Sequence, residues 1–252
     1  MKEIFKWLLK QRRLILLRRS LRKEFPKLYE LYSESRRGSA DNYFEHPNCI
    51  NAVVRRDEQL YSIESNLQQM DPTAWQAFKA KTIRAVAIVD RWGWNSELFD
   101  RFDEARAYSY LREEGYSNIE FIPESPKART PDLWANRHDG AVLLEVKTIR
   151  ESDDENNYMT RREKYEREKD VREVTYSLND AVKGKLEKTV QGAAEQLRYR
   201  NKVANRRILF MSIQLDLSCA TERTLKVLSE FLKDIQPRDV EIIHVVKNTL
   251  FL

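Results

Sequence analysis

The sequence has few of the residues that define disulfide-rich, fibrous or membrane-spanning proteins. Its 252 residues include two cysteines, Cys49 and Cys219, which are too far apart in the chain to suggest a metal-ligand pair or a disulfide framework. This usage predicts a reducing, cytoplasmic compartment. Six glycines and seven prolines exclude a collagen-like or low-complexity chain. The uncharged apolar run at residues 14–17 is too short for a signal peptide, so we expect no membrane span there.

Charge is abundant and unevenly distributed. Charged residues make up 34% of the chain, apolar residues make up 41%, and the net charge is +5. Residues 1–37 hold twelve Lys or Arg and four Glu, so this segment is +8 while the remainder sums to −3. The apolar fraction excludes a disordered chain, and the basic excess permits a polyanionic partner such as nucleic acid.

The basic segment also carries an apolar stripe from Leu14 to Tyr32 at helical spacing. Pro26 should interrupt this helix, because proline lacks a backbone N–H. Three interpretations remain open. The stripe packs on the protein's own body, an arginine-rich face binds nucleic-acid phosphates, or the helix lies on an anionic membrane or serves as a transit segment. The arginines that would bind nucleic acid are Arg12, Arg13, Arg18, Arg19 and Arg22.

Periodicity divides the chain into a helical N-terminal region, residues 1–95, and an α/β domain, residues 96–252. The first region should contain a loop at 38–51, a helix over 52–69 and a helix that starts at Asp71-Pro72. The second should contain helices and strands in alternation, which predicts a mixed central sheet flanked by helices. We expect helices over 97–113, 180–200 and 222–232, and strands over 118–122, 132–137, 141–149, 207–215 and 240–246.

One predicted strand carries two charged residues inside an apolar run. Glu145 and Lys147 are two positions apart, so their side chains point to one face of the strand. Asp132 follows Pro131, begins the preceding strand and would lie beside them across a hairpin. Two converging carboxylates suit Mg²⁺, and a nearby lysine can position or activate a water. This set suits the hydrolysis of a phosphodiester bond.

Pro131-Asp132, followed after twelve residues by Glu145-Val146-Lys147, resembles the motif of the PD-(D/E)XK nuclease superfamily. Many restriction enzymes and repair nucleases belong to it. These are the only Pro-Asp and the only Asp/Glu-x-Lys in the chain, and the predicted element order over residues 97–215 is similar to that family's core. The resemblance implies a restriction-endonuclease-like fold and a nuclease, with an endonuclease acting on DNA favoured.

The resemblance also implies a role for each residue of the motif. Asp132 and Glu145, with the backbone carbonyl of Val146, would hold Mg²⁺, for which Mn²⁺ can substitute. Lys147 would orient the attacking water or help to deprotonate it. Glu104, in the helix before the first strand, would add to the metal site, and its alternative is a solvated helix acid.

Other features leave alternatives open. Gln196 is a candidate accessory residue, although its spacing to Tyr199 departs from the family pattern and favours a surface or packing role. The charged run at 150–175 predicts a solvated helix or loop, or a flap over the substrate. Trp92 and Trp94 anchor a domain junction or stack on bases.

Two functions from different classes fit these features. The first is a Mg²⁺-dependent nuclease whose basic N-terminal region docks a substrate or a partner. The second is a nucleic-acid-binding module on a nuclease-type scaffold, with weak or absent cleavage. A homodimer or a protein partner is compatible with either function.

Overall fold

A computed structural model describes residues 2–35, 42–86, 96–125, 129–149, 180–198, 203–215 and 222–248. Within these ranges the chain forms eight α-helices and five β-strands. The helices are α1 (Lys2–Glu24), α2 (Pro26–Ser35), α3 (Pro47–Arg55), α4 (Glu58–Gln68), α5 (Pro72–Val86), α6 (Ser96–Glu113), α7 (Asp180–Leu197) and α8 (Glu222–Ile235). The strands are β1 (Ser117–Phe121), β2 (Leu133–Arg137), β3 (Gly140–Ile149), β4 (Arg206–Leu215) and β5 (Glu241–Asn248).

The five strands form one mixed sheet in the order β1-β2-β3-β4-β5. Only two residues, His138 and Asp139, separate β2 from β3, so these strands form a hairpin. β3, β4 and β5 are parallel, and α7 and α8 supply the connections that parallel strands require. The predicted α/β class with a mixed sheet is therefore confirmed.

The chain folds as two compact units. The first contains residues 1–121 and 135–137, and the second contains residues 122–134 and 138–250. The helix α6 and the strand β1 therefore group with the N-terminal helices in the first unit. The predicted domain boundary near residue 95 falls in residues 87–95, which lie outside the described residues, as do Trp92, Trp94 and the charged run at 150–175.

The N-terminal apolar stripe packs inside the first unit, as one of the three interpretations predicts. Leu14, Leu17 and Leu21 on α1 are buried. The helix ends at Glu24 and α2 begins at Pro26, which confirms the predicted interruption. Buried Glu64 of α4 accepts hydrogen bonds from the backbone N–H groups of Lys27 and Leu28, at 2.9 and 3.0 Å. These bonds satisfy donors that the first turn of α2 leaves without an intrahelical partner.

The predicted loop at 38–51 was wrong for its second half. Residues Tyr43–Glu45 form a 3-10 turn, and α3 begins directly afterwards at Pro47. Asn42 begins the turn by accepting a hydrogen bond from the N–H of Phe44 at 3.0 Å. Asn and Pro are typical of loops, but they are also the residues that start helical turns, and here they do so.

The single helix predicted over 52–69 was also wrong, because the chain forms two helices there. Arg56 adopts a φ of 59°, which a right-handed helix cannot accommodate. Asp57 then starts α4 by accepting a hydrogen bond from the N–H of Gln59 at 2.9 Å. The apolar spacing continues through the break, so periodicity alone did not reveal it.

Gly140 closes the hairpin next to the candidate site. Its φ is 139°, and a Cβ there would lie 2.5 Å from Oδ1 of Asn205. That Oδ1 accepts a hydrogen bond from the N–H of Ala141 at 3.2 Å, and the N–H of Asn205 donates to the Ala141 carbonyl at 2.9 Å. The turn therefore requires a residue without a side chain.

We expect Gly140→Ala to lower the free energy of unfolding by about 1–3 kcal/mol, since it adds both backbone strain and a clash with Asn205. Urea unfolding of the full chain measures this change. Gly184→Ala on α7 is the matched control, because a Cβ there meets nothing within 4 Å. It should leave stability unchanged or raise it by about 1 kcal/mol. Equal effects of the two substitutions would contradict this account of the turn.

Candidate active site

The strand β3 carries Glu145 and Lys147 on the face of the sheet that α7 covers. Leu143 and Ile149 belong to a buried core that also contains Leu186 of α7. Because side chains alternate along a strand, Glu145 and Lys147 share the face of Leu143 and Ile149. The carboxyl group of Glu145 therefore lies within an apolar layer, and the residue is only 1% exposed.

Asp132 is held against β3 by two hydrogen bonds. Its backbone N–H donates to the Leu144 carbonyl at 3.1 Å, and its Oδ2 accepts from the N–H of Val146 at 2.8 Å. These bonds place its carboxylate close enough to that of Glu145 for the two charges to repel each other. Lys147 Nζ contacts Glu145 Oε1 at 2.5 Å. The structure therefore brings Asp132, Glu145 and Lys147 together.

The surroundings of Glu145 disfavour its negative charge. Burial, followed by the charge of Asp132, raises the pKa of Glu145 to about 8, although the ammonium of Lys147 acts in the opposite direction. Within the described part of the chain, the buried Glu145 Oε2 accepts no hydrogen bond. The carboxyl groups of Glu145 and Asp132 can share a hydrogen bond only when one of the two is protonated. When both are ionised, two negative charges lie beside the ammonium of Lys147, and the cluster favours further positive charge.

A divalent cation would supply that charge, and the residues present fit Mg²⁺. No cluster of three or more His, Cys, Asp or Glu side chains is placed to hold a metal within the ranges that the structure describes. Mg²⁺ does not need one, because it retains several waters and is bound in proteins through one or two carboxylates. Asp132 and Glu145 supply two carboxylates, and Glu145 Oε2 has no other partner among these residues.

Glu104 is buried on α6 in the first unit, so it is not a solvated helix acid. Lys81 Nζ contacts its Oε2 at 2.9 Å, and Arg101 Nη1 contacts its Oε1 at 2.7 Å. Both carboxylate oxygens of Glu104 therefore already contact a cation. Helical i,i+3 spacing could have indicated Arg101 from the sequence, whereas nothing local indicated Lys81.

Gln196 on α7 contacts the segment that carries Asp132. Its Nε2 donates to the carbonyl oxygen of Thr130 at 3.4 Å, which is a long hydrogen bond, two residues before Asp132. The residue thus lies at the Pro131-Asp132 segment rather than on a remote surface. Tyr199, with which its spacing was compared, lies outside the described residues.

The arginines proposed for nucleic-acid binding fall into two groups. Arg18 is half-buried, and its Nε donates to the hydroxyl of Tyr32 at 3.1 Å, while that hydroxyl donates to Glu45 Oε1 at 3.0 Å. Arg18 therefore supports the packing of the first unit. The other four are exposed on α1: Arg12, Arg13, Arg19 and Arg22.

None of the helices in the described ranges has the length and apolar character needed to cross a membrane. Comparison of the chain with family models, with curated proteins and with solved structures gave no significant match.

Proposed function

We propose that the protein is a metal-dependent nuclease of the PD-(D/E)XK type that hydrolyses phosphodiester bonds, with DNA as its substrate and internal cleavage as its mode. One observation carries the proposal. The carboxylate of Asp132 lies close to that of buried Glu145, Glu145 Oε2 has no donor among the described residues, and Lys147 lies at hydrogen-bond distance of Glu145. The chain order α6, β1, β2, β3, α7, β4 is compatible with a restriction-endonuclease-like core.

Asp132 and Glu145, with the carbonyl oxygen of Val146, would hold the ion. When bound, Mg²⁺ supplies Lewis acidity toward a phosphate oxygen and lowers the pKa of a coordinated water. The hydrogen bond from the Val146 N–H fixes the direction of the Asp132 carboxylate. The apolar layer around Glu145 excludes bulk water, which strengthens electrostatic interactions within the site.

Lys147 would act on the attacking water and on the phosphate. Its side chain is 33% exposed, whereas that of Glu145 is 2% exposed, so Lys147 is the member of the pair that a substrate can reach. An ammonium group has three N–H donors, and Glu145 Oε1 accepts one of them. The other two can orient a water and donate to a phosphate oxygen as negative charge develops on it.

A nucleic-acid-binding module without cleavage is the second candidate function. The four exposed arginines on α1 favour it, because cations that reach solvent can contact phosphates. In that case Asp132, Glu145 and Lys147 would be an ionic cluster without a chemical role.

A cleavage assay with a panel of substrates distinguishes the two candidates. We expect the full chain to cleave DNA with Mg²⁺ or Mn²⁺ and to stop when EDTA is added. Single-stranded, duplex and branched DNA, together with RNA, should be compared, and circular duplex DNA reports internal cleavage. Retention of DNA without cleavage under every metal condition would favour the binding module and contradict the nuclease.

A further inference from the structure

The outward face of α1 combines exposed apolar side chains with exposed cations. Phe5, Ile15 and Leu16 are 64%, 63% and 46% exposed. Residues 4–23 contain no Asp or Glu, so no acid of this helix segment offsets its positive charge. The exposed cations of this face are Arg12, Arg13, Arg19, Arg22 and Lys23.

Helical geometry places much of this set along one line. At about 100° per residue, Phe5, Arg12, Leu16, Arg19 and Lys23 fall within an arc of about 60°. Phe5 and Lys23 are about 27 Å apart along the helix axis, so the line covers most of the length of α1. Apolar and basic side chains therefore lie together along one exposed surface, opposite the stripe that packs into the first unit.

A neighbouring helix also ends in an exposed apolar and basic pair. α3 packs against α1, and its last turn carries Val54, 53% exposed, and Arg55, which is also exposed. Seven large apolar side chains are exposed within the described residues, and four of them belong to α1 or α3. This concentration differs from the isolated exposed apolar residues that are normal on a protein surface.

We propose that the outward face of α1 docks on an anionic lipid bilayer. Phosphates of lipids and of nucleic acids both attract cations, so charge alone does not separate these partners. The exposed apolar side chains of Phe5, Ile15 and Leu16 favour a lipid bilayer over a nucleic acid. The boundary between headgroups and acyl chains offers them an apolar medium, and a phosphodiester backbone does not. Basic residues next to inserted apolar side chains are the combination that binds anionic membrane surfaces. This binding would be peripheral and independent of the nuclease chemistry.

Vesicle sedimentation with the full chain tests the proposal. We expect the protein to sediment with vesicles that contain phosphatidylglycerol and not with vesicles of phosphatidylcholine alone. The double variant Ile15→Ser, Leu16→Ser keeps every charge and should bind these vesicles about tenfold more weakly, because it removes the inserted side chains. Arg12→Gln should weaken binding about fivefold. The control Lys226→Gln, Val227→Ser changes an exposed basic and apolar pair on α8 and should bind as the wild type does.

Binding of the same variants to duplex DNA distinguishes the phosphates of lipids from those of nucleic acids. We expect Ile15→Ser, Leu16→Ser to retain DNA as the wild type does, with an unchanged circular dichroism spectrum and thermal midpoint. Equal binding to both kinds of vesicle would overturn the proposal, as would undiminished vesicle binding by this variant. Loss of DNA retention with intact vesicle binding would make nucleic acid the partner of this face.

Discussion

Replacing Lys147 by alanine is expected to lower the rate of DNA cleavage by about two to four orders of magnitude, the range found when a positioned proton-transfer group is removed. The substitution removes the only cation that the structure places on Glu145, among the residues described. It should also lower the free energy of unfolding of the metal-free protein near and above neutral pH, because the buried carboxyl of Glu145 loses its cation. Single-turnover cleavage at saturating metal measures the rate, and urea unfolding confirms the fold.

Lys188→Ala is the matched control for this result. Lys188 lies exposed on α7. The Lys188→Ala variant should therefore cleave DNA at the wild-type rate. Lys147→Arg keeps the charge but changes the shape of the donor group, so partial activity there would support a role in orientation. Full activity of Lys147→Ala would remove Lys147 from the site.

Replacing Glu145 by glutamine is expected to abolish cleavage and yet to stabilise the metal-free protein at alkaline pH. The pKa of Glu145 rises from 4.5 to about 8 on folding, chiefly because of burial. Between these values the folded state holds more protons than the unfolded state, so wild-type stability falls as pH rises through this window. Glutamine does not ionise. Its amide can donate to Asp132 and its oxygen can accept from Lys147.

At pH 9 with EDTA present, Glu145→Gln should therefore be more stable than the wild type by on the order of 4 kcal/mol. Near pH 4.5 the two proteins should have similar stability. Denaturant unfolding across this pH range measures the difference. Glu195→Gln, an exposed acid on α7, serves as the control and should follow the wild type. A wild-type stability that rises from pH 5 to 8 relative to the Glu145→Gln variant would contradict the buried, unfavourable carboxylate.

Much of the fold was predictable because local signals agreed with tertiary structure. Asp71-Pro72 starts α5, where Asp71 Oδ1 accepts from the N–H of Ala74 at 2.9 Å, and Gly115 ends α6 with a φ of 80°. The break at Arg56 was not predictable, because it depends on one left-handed residue inside a continuous apolar pattern. Residues that start helices and residues that form loops are the same types, which explains the error at Pro47.

The candidate site was predictable where it depends on strand geometry and not where it depends on packing. Period 2 placed Glu145 and Lys147 on one face, and the hairpin brought Asp132 beside them. Which layer covers that face follows from the position of α7, which sequence alone does not give. The ion pair between Lys81 and Glu104 joins two different helices, so the sequence did not predict it either.

The most direct measurement of the central claim is calorimetric titration of Mn²⁺ into the metal-free full chain, because it reports the site without knowledge of the substrate. We expect saturable binding by the wild type, loss of that binding in Asp132→Asn and in Glu145→Gln, and unchanged binding in the surface control Glu195→Gln. Wild-type affinity in both site variants, or no binding by the wild type, would contradict a metal site at Asp132 and Glu145.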